Sequence, residues 1–265
     1  MSLALETVEL DIAGGVAWIR LNRPEMLNAL TRALGEEIRA AVEHCAESRE
    51  VRAIVLTGAG RAFSAGADLR TGFELTDDGK PDVLTALRET YHPLILRLRT
   101  VAKPVIAAVN GPAAGLGCSL ALAADLVVAA ESAYFLLAFA KIGLGLDGGA
   151  SAFVPARVGH ARAFELAYLG ERLPATQALA WGLVNRVVPD AELEAEAGAL
   201  AGRLAAGAPG SYATIKRTIN DHLYSDLERL LDEEAVLQQE RARSADFMEG
   251  ALAFTQKRPA AFTGD

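Results

Sequence analysis

The chain has 265 residues and a formal net charge of −8; 51% of its residues are hydrophobic and only 6% aromatic. That length holds one large domain, or a domain with a helical appendage, with ample core. The acidic balance excludes a sequence-wide attraction to nucleic acid or to an anionic membrane, so any anionic ligand must be held by local groups. Cys45 and Cys118 make no disulfide framework, and the four histidines show no metal-ligand pairing, so no metal is expected. The first residues carry neither a basic n-region nor a long apolar run, which predicts no secretory leader and a cytoplasmic protein.

Val8, Leu10 and Ile12 alternate, as do Val16 and Trp18, with Gly14-Gly15 between them, which predicts an opening hairpin. Thr31 is placed to cap a helix whose apolar positions Leu34, Ile38, Ala41, Val42 and Cys45 recur at helical spacing. A strand-like run at 53–57 leads into R-A-F-S-A-G-A-D-L (61–69), a turn of small residues ending on an acidic residue, Asp68, that suits a helix cap. Residues 70–80, rich in Gly, Asp and Thr, are expected to form a mobile flap. Pro81 suits the first turn of a helix carrying Leu84, Leu87, Tyr91, Leu94, Ile95 and Leu98, where His92 is a further pocket candidate.

The apolar run at 104–109 then enters V-N-G-P-A-A-G-L-G-C-S-L-A-L (109–122), a strand-to-helix turn whose small residues leave backbone N–H groups approachable. Alone it is ambiguous between an anion site and close helix–sheet packing; it has no G-K-[ST] and no third glycine of a dinucleotide loop. A hydropathy window over 105–130 is long and apolar, but Gly111-Pro112 breaks it, and no membrane span is expected. Another strand is expected at 126–130. Strands alternating with helices imply an α/β protein with a largely parallel sheet. From 190 onward the pattern is helical, over 191–206, 211–221, 225–243 and 246–256, with an apolar stripe of Leu227, Leu230, Leu231, Val236 and Leu237, and with Glu233, Glu234 and Glu240 on a solvated face. The expected organisation is a core of 1–189 followed by a helical region, 190–265.

The two small-residue turns, K-P-V-I-A-A-V-N-G (103–111), L-N-R-P-E-x-L-N-A-L (21–30), F-A-K-I-G-L-x-x-D-G-G (139–149), A-x-x-W-G-L-V-N-R-V-V-P (178–189) and S-A-D-F-M-E-G-x-x-A-F-x-x-K-R (244–258) together resemble the crotonase family of enoyl-CoA hydratases and isomerases. The resemblance implies a spiral of ββα units with a C-terminal helical region that builds a homotrimer or a dimer of trimers. It implies an acyl-CoA thioester substrate, with coenzyme A part of that substrate and no separate cofactor. The backbone N–H groups of Ala67 and Leu116 would form the oxyanion hole, and Arg23, Ala65, Asp68, Leu69, Arg70 and Lys257 would bind substrate. Arg23 and Lys257 read equally well as ordinary solvated charge.

The hydratases of this family use two glutamates. Here Ser119 and Lys141 stand at the matching positions, which argues against efficient hydration. Asp147 stands where the single carboxylate of the isomerases falls; as a sequence feature alone it also reads as a helix cap. One base between two carbons suits a proton shuttle. The further matches L-T-G-A-G-R-x-F-x-A-G (56–66), Y-x-P-L-x-x-R-L (91–98) and K-R-x-x-x-F-T-G (257–264) are similar to the ring-opening isomerase of phenylacetate breakdown. An aromatic dehalogenase is disfavoured, because 135–139 reads F-L-L-A-F without that family's helper histidine. The expectation is therefore an enoyl-CoA isomerase, with a hydratase of fatty-acid or aromatic-acid degradation, or a non-catalytic acyl-CoA-binding subunit, as alternatives.

Overall fold

The expected hairpin forms from β1 (Val8–Ala13) and β2 (Val16–Leu21), antiparallel with Leu10 opposite Ile19. In the computed structural model, which describes residues 5–70 and 74–265, every further strand of this sheet joins in parallel. β3 (Ala53–Gly58), β4 (Val105–Val109), β6 (Leu126–Ala130) and β9 (Arg186–Val188) give the order β1-β2-β3-β4-β6-β9. β3 and β4 are buried along their whole length, which is why they read as unbroken apolar runs.

A second sheet, β5-β7-β8, is built from pieces too short to leave a periodic trace: β5 (Ala113–Ala114), β7 (Tyr134–Leu136) and β8 (Leu173–Pro174). From β4 the chain steps into β5, turns through α4 (Leu116–Leu122) and returns as β6, then steps into β7. After β3, Ser64 pairs with Ala113 in the same way. The path is thus a spiral in which each turn gives one segment to each sheet and returns through a helix.

The helix α1 (Arg32–Glu47) begins where Thr31 accepts the Leu34 N–H, and it buries the five apolar positions read from its spacing. After Pro81 the chain makes α2 (Val83–Ala86), a π-helical turn (Leu87–Tyr91) and α3 (His92–Thr100). Pro93 has no N–H to give to the carbonyl four residues back, and the His92 N–H instead reaches the Leu87 carbonyl in a wider turn. That wider turn is what sequence periodicity missed. α5 (Ala150–Val158), α6 (His160–Leu169) and α7 (Ala175–Trp181) follow, and then α8 (Leu193–Ala206), α9 (Pro209–Leu223), α10 (Leu227–Ala242) and α11 (Ala245–Gln256). The Lys216 ammonium of α9 is buried, bonding Asp125 at 2.9 Å and the Leu98 carbonyl at 2.7 Å.

Three expectations need correction. The buried face of α10 is Leu227, Leu231, Glu234, Ala235, Gln238 and Ala242, while Val236 and Leu237 are exposed; the polar pair lies inside and part of the apolar stripe outside. No helix begins at Asp68 among the described residues; its carboxylate instead accepts the Arg70 N–H at 3.1 Å. Of the expected flap, Thr71, Gly72 and Phe73 lie outside the described residues, and 74–80 is a tight turn tied down by Arg243 to Asp78 and by Arg32 to Glu74.

Candidate active site

Two asparagines shape the first small-residue turn. Asn28, fully buried, donates to the carbonyls of Ala59 and Ala62 and accepts the Arg23 N–H. Asn110 donates to the Gly60 carbonyl and accepts the Gly58 N–H. These bonds fold the turn, and β-type bonds fasten it to the second one: Ser64 N–H to the Pro112 carbonyl and Ala114 N–H to the Ser64 carbonyl. Gly66 makes the approach possible, since at φ +89° a Cβ there would sit 2.7 Å from the Ala114 carbonyl oxygen.

This zipper sets the direction of two N–H groups. Leu30 bonds the Gly66 carbonyl and the Asp68 N–H, so the Ala67 N–H between them points the other way and has no acceptor among the described residues. Leu116 is the first residue of α4, where an N–H has no partner inside the helix, and it too has none among the described residues. Ala67, Asp68, Leu116 and Asp147 line one cavity of about 460 Å³. Its apolar wall includes Leu30, Val83, Leu87 and Tyr91, the last two supplied by the π-helical turn. At the rim, Arg32 is held between Glu74 and Glu89 at 2.7 and 2.6 Å.

Asp147 reaches the cavity on the segment before α5, and three neighbours fix it. The Ser119 hydroxyl donates to its backbone carbonyl at 2.8 Å. Gly148, at φ +61°, packs so close to α4 that a Cβ would meet Leu116 Cδ1 at 2.6 Å. The Gln238 amide donates to Asp147 Oδ2 at 2.9 Å, and Oδ1 is buried with no hydrogen-bond partner among the described residues. Asp147 does not cap α5. Glu234 does so from α10, accepting the N–H groups of Gly149 and Ser151 at 2.8 and 3.0 Å. Sequence reasoning placed Glu234 on a solvated face; it is buried, and burial pushes its carboxyl above the usual range against the opposing Gly149 and Ser151 donors.

Burial pushes the Asp147 carboxyl up to about 8, the charge of Glu234 adds to the rise, and the Gln238 donor opposes it. A folded-state value above the unfolded one means that the native protein holds this proton more tightly. Stability contributed there is complete below about pH 4 and is lost as pH rises toward 8. Asp147→Asn, which removes the buried charge, is therefore expected to melt higher than the parent at pH 9, by about 2–4 °C per kcal/mol of relief. The gain should shrink toward pH 5, and a constant gap in calorimetry across that range would contradict the burial account.

Of the remaining expected site residues, Arg23 stands behind the cavity, with its guanidinium on Asp68 at 3.0 Å and on the Ala29 carbonyl at 2.5 Å. Ala65 is exposed and gives its N–H to the Leu27 carbonyl; Leu69 is half-buried and Arg70 exposed. Lys257 is exposed at the end of α11, away from the cavity lining. His92 is buried but outside the lining, and burial pushes it down to about 4, so it is neutral. Lys141 lies at the surface, its side chain against Gly170. Sequence reasoning missed Gln238, yet 227, 231, 234, 235, 238 and 242 recur at helical spacing, and a polar pair on that face was readable. No helix among the described residues is long and apolar enough to cross a membrane, and none of their His, Cys, Asp and Glu side chains group to hold a metal ion.

Comparison with known proteins agrees with this architecture. Residues 11–265 match the model of the enoyl-CoA hydratase/isomerase family. The chain is 44% identical to a probable enoyl-CoA hydratase of Rhodobacter capsulatus, over 99% of this chain and 100% of that one. It is 40% identical to the 1,2-epoxyphenylacetyl-CoA isomerase of Escherichia coli, over 98% and 99%. The crystal structure of an enoyl-CoA hydratase from Mycobacterium avium subsp. paratuberculosis superimposes with a TM-score of 0.89 at 41% identity, covering 98% of this chain and 100% of that one. With its spiral of paired sheets and a match over almost its whole length, the chain belongs to the enoyl-CoA hydratase/isomerase family and has the crotonase fold.

Proposed function

We propose that this protein is an acyl-CoA isomerase in which Asp147 moves a proton across an enolate held by the N–H groups of Ala67 and Leu116. The observation that carries this reading is the buried carboxylate of Asp147, whose Oδ1 has no hydrogen-bond partner among the described residues, on the cavity lined by Ala67 and Leu116, whose N–H groups lack acceptors among the described residues; the other buried carboxylate of that lining, Asp68, is paired with Arg23. Asp147 Oδ1 takes a proton from the carbon beside the thioester, the C–H electron pair moves into the carbonyl, and the enolate oxygen is bound by the two N–H groups. The same proton returns to a carbon further along the conjugated system, the electron pair returns from oxygen, and the double bond has shifted. Atoms and charge balance with one carboxylate.

The two positions at which a hydratase would hold and activate water support the same conclusion. The Ser119 hydroxyl is committed to the Asp147 carbonyl, and Lys141 is at the surface. The name of the Escherichia coli relative favours a ring-bearing acyl group and a place in phenylacetate catabolism. Self-assembly as a trimer or a dimer of trimers is part of the proposal, supported by exposed Val236, Leu237, Met248, Leu252 and Phe254 on the C-terminal helices.

Ultraviolet absorbance of the conjugated thioester tests the reading. With 3-enoyl-CoA the protein is expected to raise that absorbance, and with 2-enoyl-CoA to leave it unchanged on the same time scale. Loss of absorbance with 2-enoyl-CoA would instead establish hydration, the activity in the name of the Rhodobacter relative. Tight binding of acyl-CoA with no turnover of aliphatic or ring-bearing thioesters would establish a binding subunit.

A further inference from the structure

We propose that Gln238 is a positioning residue that dedicates one oxygen of Asp147, Oδ1, to the travelling proton. The proposal rests on the proton-shuttle reading of Asp147. Gln238 is fully buried, and its two amide ends are tied to different partners: Oε1 accepts the Gly145 N–H at 3.0 Å and Nε2 donates to Asp147 Oδ2 at 2.9 Å. The Gly145 N–H is always a donor. Flipping the amide would set donor against donor at Gly145 and acceptor against carboxylate at Asp147, so the orientation is fixed from the backbone side.

Once the orientation is fixed, the two carboxylate oxygens are no longer equivalent. A proton on Oδ2 would face the Gln238 N–H, whereas a proton on Oδ1 meets no competing donor among the described residues. The abstracted proton therefore resides on Oδ1, an oxygen shielded from solvent, until it is handed back. Glu234, one helical turn before Gln238, spends both oxygens on the Gly149 and Ser151 N–H groups, which keeps the segment from sliding along α10. The other titratable groups around this carboxylate are Glu234 on the same helix and Tyr91 on the π-helical turn, with Arg32, Asp68 and Glu36 close to Tyr91. None of these bonds Oδ1.

The test uses 3-enoyl-CoA deuterated at C2, the fraction of label carried within the molecule to the new C–H position, and the pH profile of kcat/KM. The native protein is expected to carry over most of the label. Gln238→Leu frees Oδ2; kcat should fall about 10–100-fold with KM within about 2-fold, in keeping with a lost hydrogen bond to a charged group. Label carry-over should fall by half or more, and the ascending limb of the profile should move up by about one pH unit, because a donor that favoured the charged form is gone. Gln238→Glu keeps the side-chain length and the acceptor for Gly145 while placing a second carboxyl beside Oδ2, and it should move the limb up further. If Gln238→Leu does not fold, Gln238→Glu carries the test alone. A folded variant with label carry-over and limb unchanged would overturn the proposal, as would complete solvent exchange in the native protein. Asp147→Asn separates the two ideas: full turnover there sinks the proton-shuttle reading itself, whereas an inactive Asp147→Asn beside unaffected Gln238 variants sinks only the role given to Gln238.

Discussion

Asp147→Asn is expected to lower kcat for isomerisation of 3-enoyl-CoA by about 10²–10⁴-fold, the range of a positioned general acid/base, with KM changed only a few-fold. The substitution keeps the shape of the side chain and an oxygen to accept from Gln238, so the loss reports the missing base rather than a collapsed site. The native pH profile should carry the same signature. Only the ionised carboxylate accepts a proton, and burial with Glu234 nearby pushes this group up to about 8. kcat/KM should therefore rise about tenfold per pH unit below that value and level off above it. Stopped-flow absorbance between pH 6 and 9.5 measures this, and a flat profile would remove Asp147 from the chemistry. In the proposed mechanism the elevated value would serve the chemistry, since a carboxylate at its ordinary value is a poor base for a C–H bond and desolvation raises its basicity.

The activity prediction and the melting prediction draw on one cause with opposite effects. The charge that makes Asp147 basic is also the one that costs folding free energy above neutral pH, so Asp147→Asn should be both slower and more stable. Buried polar groups that raise activity at the expense of stability are a recurring property of sites, and the proposal makes Oδ1, buried with no partner among the described residues, the local instance.

Much of this was legible before any coordinates. The hairpin and α1 follow from apolar periodicity and β3, β4 and β6 from short apolar runs, whereas the proposed roles of the Ala67 and Leu116 N–H groups come from the family resemblance of the two small-residue turns. Asp147 is singled out by the same resemblance; its local pattern alone reads as a helix cap. What stayed hidden depends on contacts between segments distant in the chain. β5, β7 and β8 are two or three residues long and exist only because a neighbouring turn lies beside them. Asn28 and Asn110 look like ordinary turn residues until both are found bonding one loop. Glu234 and Gln238 sit 87 and 91 residues from Asp147, on a helix whose exposed leucine and valine drew attention to the wrong face. Partners of a buried carboxylate are a tertiary property, and local pattern carries no record of them unless the face is counted out residue by residue.

Ala67→Pro is expected to lower kcat/KM by about 10²–10³-fold, the cost of losing one preorganised donor to a developing oxyanion, equivalent to about 3–4 kcal/mol. The substitution removes the donor, setting the proline Cδ where the hydrogen was, and leaves the bonds of the turn in place. The bonds that hold the turn belong to Gly66 and Asp68, the Ala67 N–H gives none of them, and its φ is not positive. The preceding residue is glycine, which tolerates the restriction that proline places on its neighbour. Thermal unfolding should accordingly shift little, and Ala67→Ser, which keeps the N–H, should keep the rate. Leu116 is a poorer place for the same experiment, because its side chain packs against Gly148 and a change there would move Asp147 as well. If Ala67 and Asp147 act on one enolate, the double variant Ala67→Pro/Asp147→Asn should lose much less than the product of the two single losses. An enolate that can no longer form has no charge left for the Ala67 N–H to stabilise. Full multiplicativity would mean that the two groups contribute independently, and the coupling expected through a shared enolate would fail even with each residue needed for activity.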